Sequence, residues 1–139
     1  MSYLIDTNVL SELRRKTPDP KVVQWFSQRP AGTLYLSVLT LGEIRKGIEA
    51  LPDATRRLAL LDWLETELPA FFTGRILPID AAVADRWGRL VAQAGRPVPA
   101  IDSLLAATAM QHGLILVTRN LRDVQDLGVQ VLSPWDDSL

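Results

Sequence analysis

Met1-Ser2-Tyr3-Leu4-Ile5-Asp6-Thr7-Asn8 is the stretch on which the reading of this chain turns. Tyr3, Leu4 and Ile5 make a short apolar run with strand character. It ends abruptly at a carboxylate, a hydroxyl and a carboxamide, and Val9, Leu10 and Leu13 then follow at helical spacing. A strand that passes into a helix through Asp-Thr-Asn sets oxygen-bearing side chains at a strand's carboxyl end, where open α/β sheets bind ligands. The same three residue types are also good helix caps. Both readings of Asp6 are open on these residues alone.

Working outward, strand-like and helix-like runs alternate. Arg14-Arg15-Lys16 is expected in the last turn of the first helix, where cations suit the helix dipole. Asp19-Pro20 opens a short helix with Val22, Val23 and Phe26 on its apolar face, and Pro30-Ala31-Gly32 closes it. Leu34-Tyr35-Leu36 is a second strand. Ser37 caps a helix running to about Ala50, with Leu41, Ile44 and Ile48 as its buried stripe. Glu43 lies off the centre of that stripe, as either an exposed partner of Lys46 or a group facing the strand end. Past Leu51-Pro52-Asp53, Leu58, Leu61, Leu64 and Leu68 predict a long amphipathic helix up to Pro69. Ile76-Leu77-Pro78-Ile79 is a third strand, and Asp80 caps a helix whose stripe is Val83, Trp87, Leu90, Val91 and Ala94.

Gly95-Arg96-Pro97-Val98-Pro99 is a loop held extended by two prolines. The helix from Ala100 to Ala109 is apolar on nearly every face, so it should be buried. Asp102 at its mouth either caps it or faces a cation. Leu114-Ile115-Leu116-Val117 is a continuous apolar run of the kind found in sheets covered on both faces. It ends at Thr118-Arg119-Asn120, with Asp123 close behind. Gly128 to Leu132 is the last strand, and Pro134-Trp135 precedes an acidic tail. His112, the only histidine, is expected on the surface near a helix C-terminus.

The alternation predicts a three-layer α/β/α sandwich around a mainly parallel sheet, one domain over residues 1–139. Right-handed crossovers put every strand-to-helix junction on one edge. Asp6, Glu43, Asp102, Thr118 and Asp123 all fall at or near that edge. Carboxylates gathered there would repel one another and resist ionisation. A divalent cation removes that penalty, and oxygen ligands without cysteine or a usable histidine point to Mg2+ or Mn2+. Such sites bind phosphate oxygens and activate water, and Thr7, Asn8, Thr118 and Asn120 could orient carboxylates or water.

Composition sets bounds on partners. Fifteen Lys and Arg against sixteen Asp and Glu give a formal net charge of -1, with 47% hydrophobic residues and no cysteine. A protein that coats nucleic acid would be basic, so any nucleic-acid contact must run through a local patch or a bound cation. Arg14, Arg15, Lys16, Arg45, Lys46 and Arg119 are the candidate RNA contacts. Disulfides are excluded. No apolar run approaches the length of a membrane span, and the start lacks the features of a signal peptide. A cytoplasmic protein is expected.

The motifs resemble a known family. Leu4 to Leu10, Ser37-Val38 with Gly42-Glu43-Ile44, Ile101 to Ala109, and Thr118-Arg119-Asn120 with Asp123 are similar, in order and separation, to the four acidic segments of PIN-domain ribonucleases. The resemblance spans essentially the whole chain and is nearest the FitB-like toxins of VapBC-type toxin–antitoxin pairs. It implies Asp6, Glu43 and Asp102 as metal ligands, with Asp123 completing the site and Thr118 and Asn120 in support. It further implies a Mg2+- or Mn2+-dependent endoribonuclease, a homodimer blocked by a cognate antitoxin, with DNA bound only through that antitoxin. Val124 departs from the pattern, since many members carry an aromatic residue there.

Three other functions would leave different marks. A receiver-like signalling module would want paired acids after the first strand and a lysine after the later ones, and no lysine follows Lys46. A haloacid-dehalogenase-type phosphatase would want Asp-x-Asp, whereas this chain has Asp6-Thr7-Asn8. A catalytically silent PIN-like binding protein would bind a cation and cleave nothing.

Overall fold

The computed structural model describes residues 1–136. Five strands, β1 (Tyr3–Ile5), β2 (Leu34–Ser37), β3 (Ile76–Leu77), β4 (Ile115–Val117) and β5 (Val131–Leu132), form one sheet in the order β3-β2-β1-β4-β5. Every pairing is parallel, with Tyr3 opposite both Leu34 and Ile115. The mainly parallel sheet expected from the sequence is therefore parallel throughout.

Among the described residues eight α-helices cover it: α1 (Thr7–Leu13), α2 (Pro20–Ser27), α3 (Val38–Glu49), α4 (Ala54–Asp62), α5 (Leu68–Phe71), α6 (Ala81–Ala94), α7 (Ala100–His112) and α8 (Leu121–Val124). The chain runs outward from β1 to β2 to β3, then crosses back to place β4 on the other side of β1. With right-handed crossovers, this reversal sends the first set of helices to one face and the second set to the other. The cores follow that division. Tyr3, Ile5, Leu34, Leu36 and Val117 face α1, α2, α3 and the Leu64–Leu68–Phe72 stripe. Leu4 and Leu116 point oppositely, toward Leu90 of α6, Leu105, Ala106 and Ala109 of α7, and Val124 of α8. The two-residue period of a strand makes this partition. The reversal also creates a switch point between the carboxyl ends of β1 and β4, the place where open α/β sheets hold ligands.

Several local expectations need correction. Arg14-Arg15-Lys16 lies beyond α1, which ends at Leu13 with Arg14 as its C-cap. In α2 the buried pair is Val22 and Trp25, and Val23 is exposed. The third and last strands are only two residues long. The helix through Leu58 to Leu68 runs without a gap, as expected, but Trp63–Glu67 within it is π-helical, between α4 and α5. Leu58 is 66% exposed, while Leu64, Leu68 and Phe72 are buried. Leu61 is half-buried against the same core, so of the four leucines only Leu58 leaves the stripe. The caps at Asp19, Ser37 and Asp80 stand as expected. Val124 is fully buried and fills its place without an aromatic ring. His112 is exposed in the last turn of α7. Asp136 begins the acidic tail, whose remainder lies outside the described residues. Among the described residues no helix is long and apolar enough to cross a membrane.

Candidate active site at the sheet edge

Asp6 sits where β1 becomes α1, and it fills both roles left open by the sequence. Its Oδ1 accepts the Thr7 N–H at 2.7 Å, capping α1. Its own N–H donates to Val117 O at 2.9 Å, continuing the β1–β4 ladder by one residue. Its Oδ2 accepts the Thr118 hydroxyl at 2.7 Å and the Asn8 carboxamide at 3.3 Å. Asn8 and Thr118 are themselves linked, Nδ2 to Oγ1 at 3.4 Å, and Thr118 Oγ1 accepts the Asn120 N–H at 3.0 Å. One buried carboxylate is thus fixed by both strands that flank the switch point.

Glu43, on the second turn of α3, is held from β1's side: the Thr7 hydroxyl donates to its Oε1 at 2.6 Å. The Glu43–Lys46 pairing left open by the sequence is not formed. Asp102 is the third residue of α7, whose N-cap is Pro99, so it does not cap the helix. Trp87 Nε1 donates to Ser103 Oγ, which in turn bonds Ala100 O, each at 2.9 Å. These bonds fasten the first turn of α7 to α6 beneath Asp102.

Asp6, Glu43 and Asp102 line one open cleft of about 480 Å3, with Thr7, Asn8 and Asn120. Burial pushes the Asp6 carboxyl up to about 6, against its hydrogen bonds to Thr118 and Thr7, with Asp102 and Glu43 adding repulsion. Asp102 is also raised, first by burial and then by Asp123 and Glu43, and the Asn120 side chain offsets part of this. Asp123, in α8, lies outside the cleft lining but close enough to act on Asp102. Arg96 braces this segment by donating to Asp123 O at 3.0 Å. All four predicted acids are therefore electrostatically connected on one edge. Asp80 remains a cap, accepting Val83 N–H at 2.9 Å.

The donor set is that of a hard divalent cation: carboxylate, hydroxyl and carboxamide oxygens, with no sulfur and no imidazole. Among the described residues no three acidic groups stand close enough to grip one ion as placed. Asp6 and Asp102 are raised chiefly by burial, and repulsion from the neighbouring carboxylates adds to it. A cation drawing them together would lower both.

Of the six basic candidates, Arg15 and Arg119 line the cleft. Arg45 pairs with Glu65 and Glu49 on the outer side of α3. Arg14 lies over the Trp63 ring. Lys16 and Lys46 are exposed and do not line the cleft. Two lining residues escaped the sequence reading, Ser11 and Glu12. Glu12 is only 4% exposed and is ionised more readily than usual, chiefly because Asp19 N–H donates to it at 2.9 Å, with Arg15 and Arg119 adding to the effect. No local pattern marks it, since a glutamate beside the apolar Leu13 reads as a solvated helix position.

Comparison with known proteins places the chain in a family. The PIN domain family model matches residues 3–127. The VapC ribonuclease Y4jK of Sinorhizobium fredii is 36% identical over 136 residues, covering 96% of this chain and 97% of that protein. The toxin FitB of Neisseria gonorrhoeae is 36% identical over 137 residues, covering 96% and 99%. The solved structure of FitAB bound to an IR36 DNA fragment superposes with a TM-score of 0.90 at 34% identity, over 96% of each chain. The signalling and phosphatase readings fall away. The chain belongs to the PIN domain family, among its VapC- and FitB-like members.

Proposed function

We propose that this protein is a Mg2+- or Mn2+-dependent endoribonuclease toxin, neutralised by a cognate antitoxin. The observation that carries the reading is the convergence of Asp6, Glu43 and Asp102 on one cleft at the switch point, with Asp123 acting on Asp102. Similarity to a VapC ribonuclease and to toxin FitB supports the activity. Similarity to FitAB bound to an IR36 DNA fragment supports association with a partner and with DNA; that the partner is the antitoxin, that it makes the DNA contact, and that the toxin is a homodimer belong to the same proposal. A single domain of 139 residues acting in the cytoplasm completes the reading.

Asp6, Glu43 and Asp102 would hold the cation, with Asp123 completing the set. A divalent ion there lowers the pKa of a bound water and stabilises charge developing on a phosphodiester. The chain's own contribution is orientation. The Thr7 hydroxyl aims Glu43, the Thr118 hydroxyl and Asn8 aim Asp6, and Asn120 supports Asp102. Asp6 is the group whose proton must leave before a cation binds, so metal affinity should rise through the pH range near 6.

The test is incubation of purified, antitoxin-free protein with a panel of structured RNAs in Mg2+, in Mn2+ and in EDTA. Cleavage should require metal and should be lost in Glu43→Gln and Asp102→Asn variants of unchanged fold. A catalytically silent binding protein would instead bind the cation and leave every RNA intact.

A further inference from the structure

The cleft is lined by groups of both charges: Asp6, Glu43 and Asp102, and also Arg15 and Arg119, with Glu12 buried beside Arg15. Arg15 Nη1 donates to both oxygens of Glu12, at 3.2 and 3.3 Å. That leaves its Nη2 and Nε donors without a protein acceptor among the described residues. Arg119 is fixed differently. Its N–H donates to Asn8 Oδ1 at 3.3 Å, anchoring its backbone to the β1–α1 junction. Its guanidinium lies over the Trp135 ring, 4.9 Å from the centroid, and hydrogen-bonds to no described residue. Stacking an arginine on an aromatic face fixes its plane while leaving its in-plane N–H donors free, the arrangement suited to gripping phosphate oxygens.

Glu12 explains why two cations can stand together. Its charge offsets their mutual repulsion, and its ties to Asp19 N–H and Arg15 set where the Arg15 head lies. A buried carboxylate bonded to one guanidinium and in the field of a second, both with N–H donors that no described residue accepts, is not among the groups that hold Asp6, Glu43 or Asp102.

We propose that Arg15 and Arg119 form a clamp for a backbone phosphate neighbouring the scissile one, and that Glu12 is the positioning residue that sets this clamp. The clamp rests on the ribonuclease reading for its place beside a scissile bond, though not for its binding chemistry. It selects two of the six basic side chains and excludes Arg45, whose guanidinium is already paired with two carboxylates.

The experiment is anisotropy titration of a short 2′-O-methyl RNA of mixed sequence, which resists hydrolysis, against the full chain across a range of salt. Arg15→Ala and Arg119→Ala should each weaken binding about five- to tenfold and flatten the salt slope by about 0.7. Arg45→Ala should change neither. Glu12→Gln, which keeps an acceptor for Asp19 N–H, should weaken binding and flatten the slope as Arg15→Ala does, and the two combined should be no worse than either alone. A protein that merely needed Glu12 for folding would lose melting temperature without this change of slope. Equal affinity in the two arginine variants overturns the clamp whether or not the protein cleaves RNA, and tighter binding by Glu12→Gln overturns the positioning role. Clamp-dependent binding by a protein that cleaves nothing supports the clamp and overturns the nuclease. A protein that binds no RNA overturns both.

Discussion

Asp6 carries a heavy electrostatic load, since it is buried as a carboxyl. It ionises near pH 6 in the folded chain and near 3.8 as an unperturbed group. Between those values the native state holds the extra proton, so this residue's effect on stability turns unfavourable as pH rises through the window and is complete above it. Asp6→Asn removes that dependence. Without divalent metal, the melting temperature of the variant relative to the parent should therefore climb from pH 4 to pH 7, by an amount corresponding to on the order of 2–3 kcal/mol. Scanning calorimetry across this range checks it, and a difference independent of pH would refute the burial argument. Thr7 offers a second test. Thr7→Ala keeps the capped helix but removes the 2.6 Å bond that aims Glu43. Cleavage should fall about 10- to 100-fold, with melting barely moved. The four acids were picked out in the sequence because each lies within about two turns of a strand end or a helix start, and the resemblance of their motifs to the PIN-domain segments decided between their alternative readings. Glu12 was not, because its burial comes from Asp19 and the loop between α1 and α2, a contact no local pattern announces.

Elements were legible in proportion to their caps. Asp19, Ser37 and Asp80 each stand before an apolar period and each accepts a backbone N–H at the start of its helix. Asp80 separates the structural from the functional use of an acid at a helix start. Asp80→Ala should cost about 1 kcal/mol in denaturant unfolding and leave cleavage untouched; a lost activity would mean that the acid belongs to the site. In the arm from Ala54 to Phe71, Leu61, Leu64 and Leu68 pack in the core as expected, and Leu58 alone leaves the stripe. A leucine spacing of three and four fits a regular helix, but Trp63–Glu67 widens into a π turn, and the buried line becomes Leu64, Leu68 and Phe72. Nothing in composition distinguishes these alternatives; packing against Leu10 and Ile48 in the same core decides them. The shortness of β3 and β5 was equally hidden, since an apolar run states where a strand can form and only its neighbour states how far pairing extends.

At the scale of the molecule, function follows from one topological event, the return of the chain from β3 to β4 across β1. It brings Thr118 to Asp6 over a sequence separation of 112 residues, which no motif spacing contains. The sequence supplied the parallel sheet and the common edge, and the strand order supplied the convergence. A cation at that edge would bind the folded chain and relieve the repulsion among Asp6, Glu43 and Asp102. Saturating Mg2+, at roughly a hundredfold above its dissociation constant, should raise stability by about 2.7 kcal/mol, an increase absent from an Asp102→Asn variant. The central claim, that carboxylates at this edge make a metal-dependent ribonuclease, is tested most directly by the single-turnover rate of RNA cleavage as Mg2+ is titrated into metal-free protein, beside Asp6→Asn of unchanged fold. The rate should rise from the EDTA baseline to saturation in the parent and stay at that baseline in the variant. Cleavage that is indifferent to Mg2+, or equal in Asp6→Asn, would contradict it.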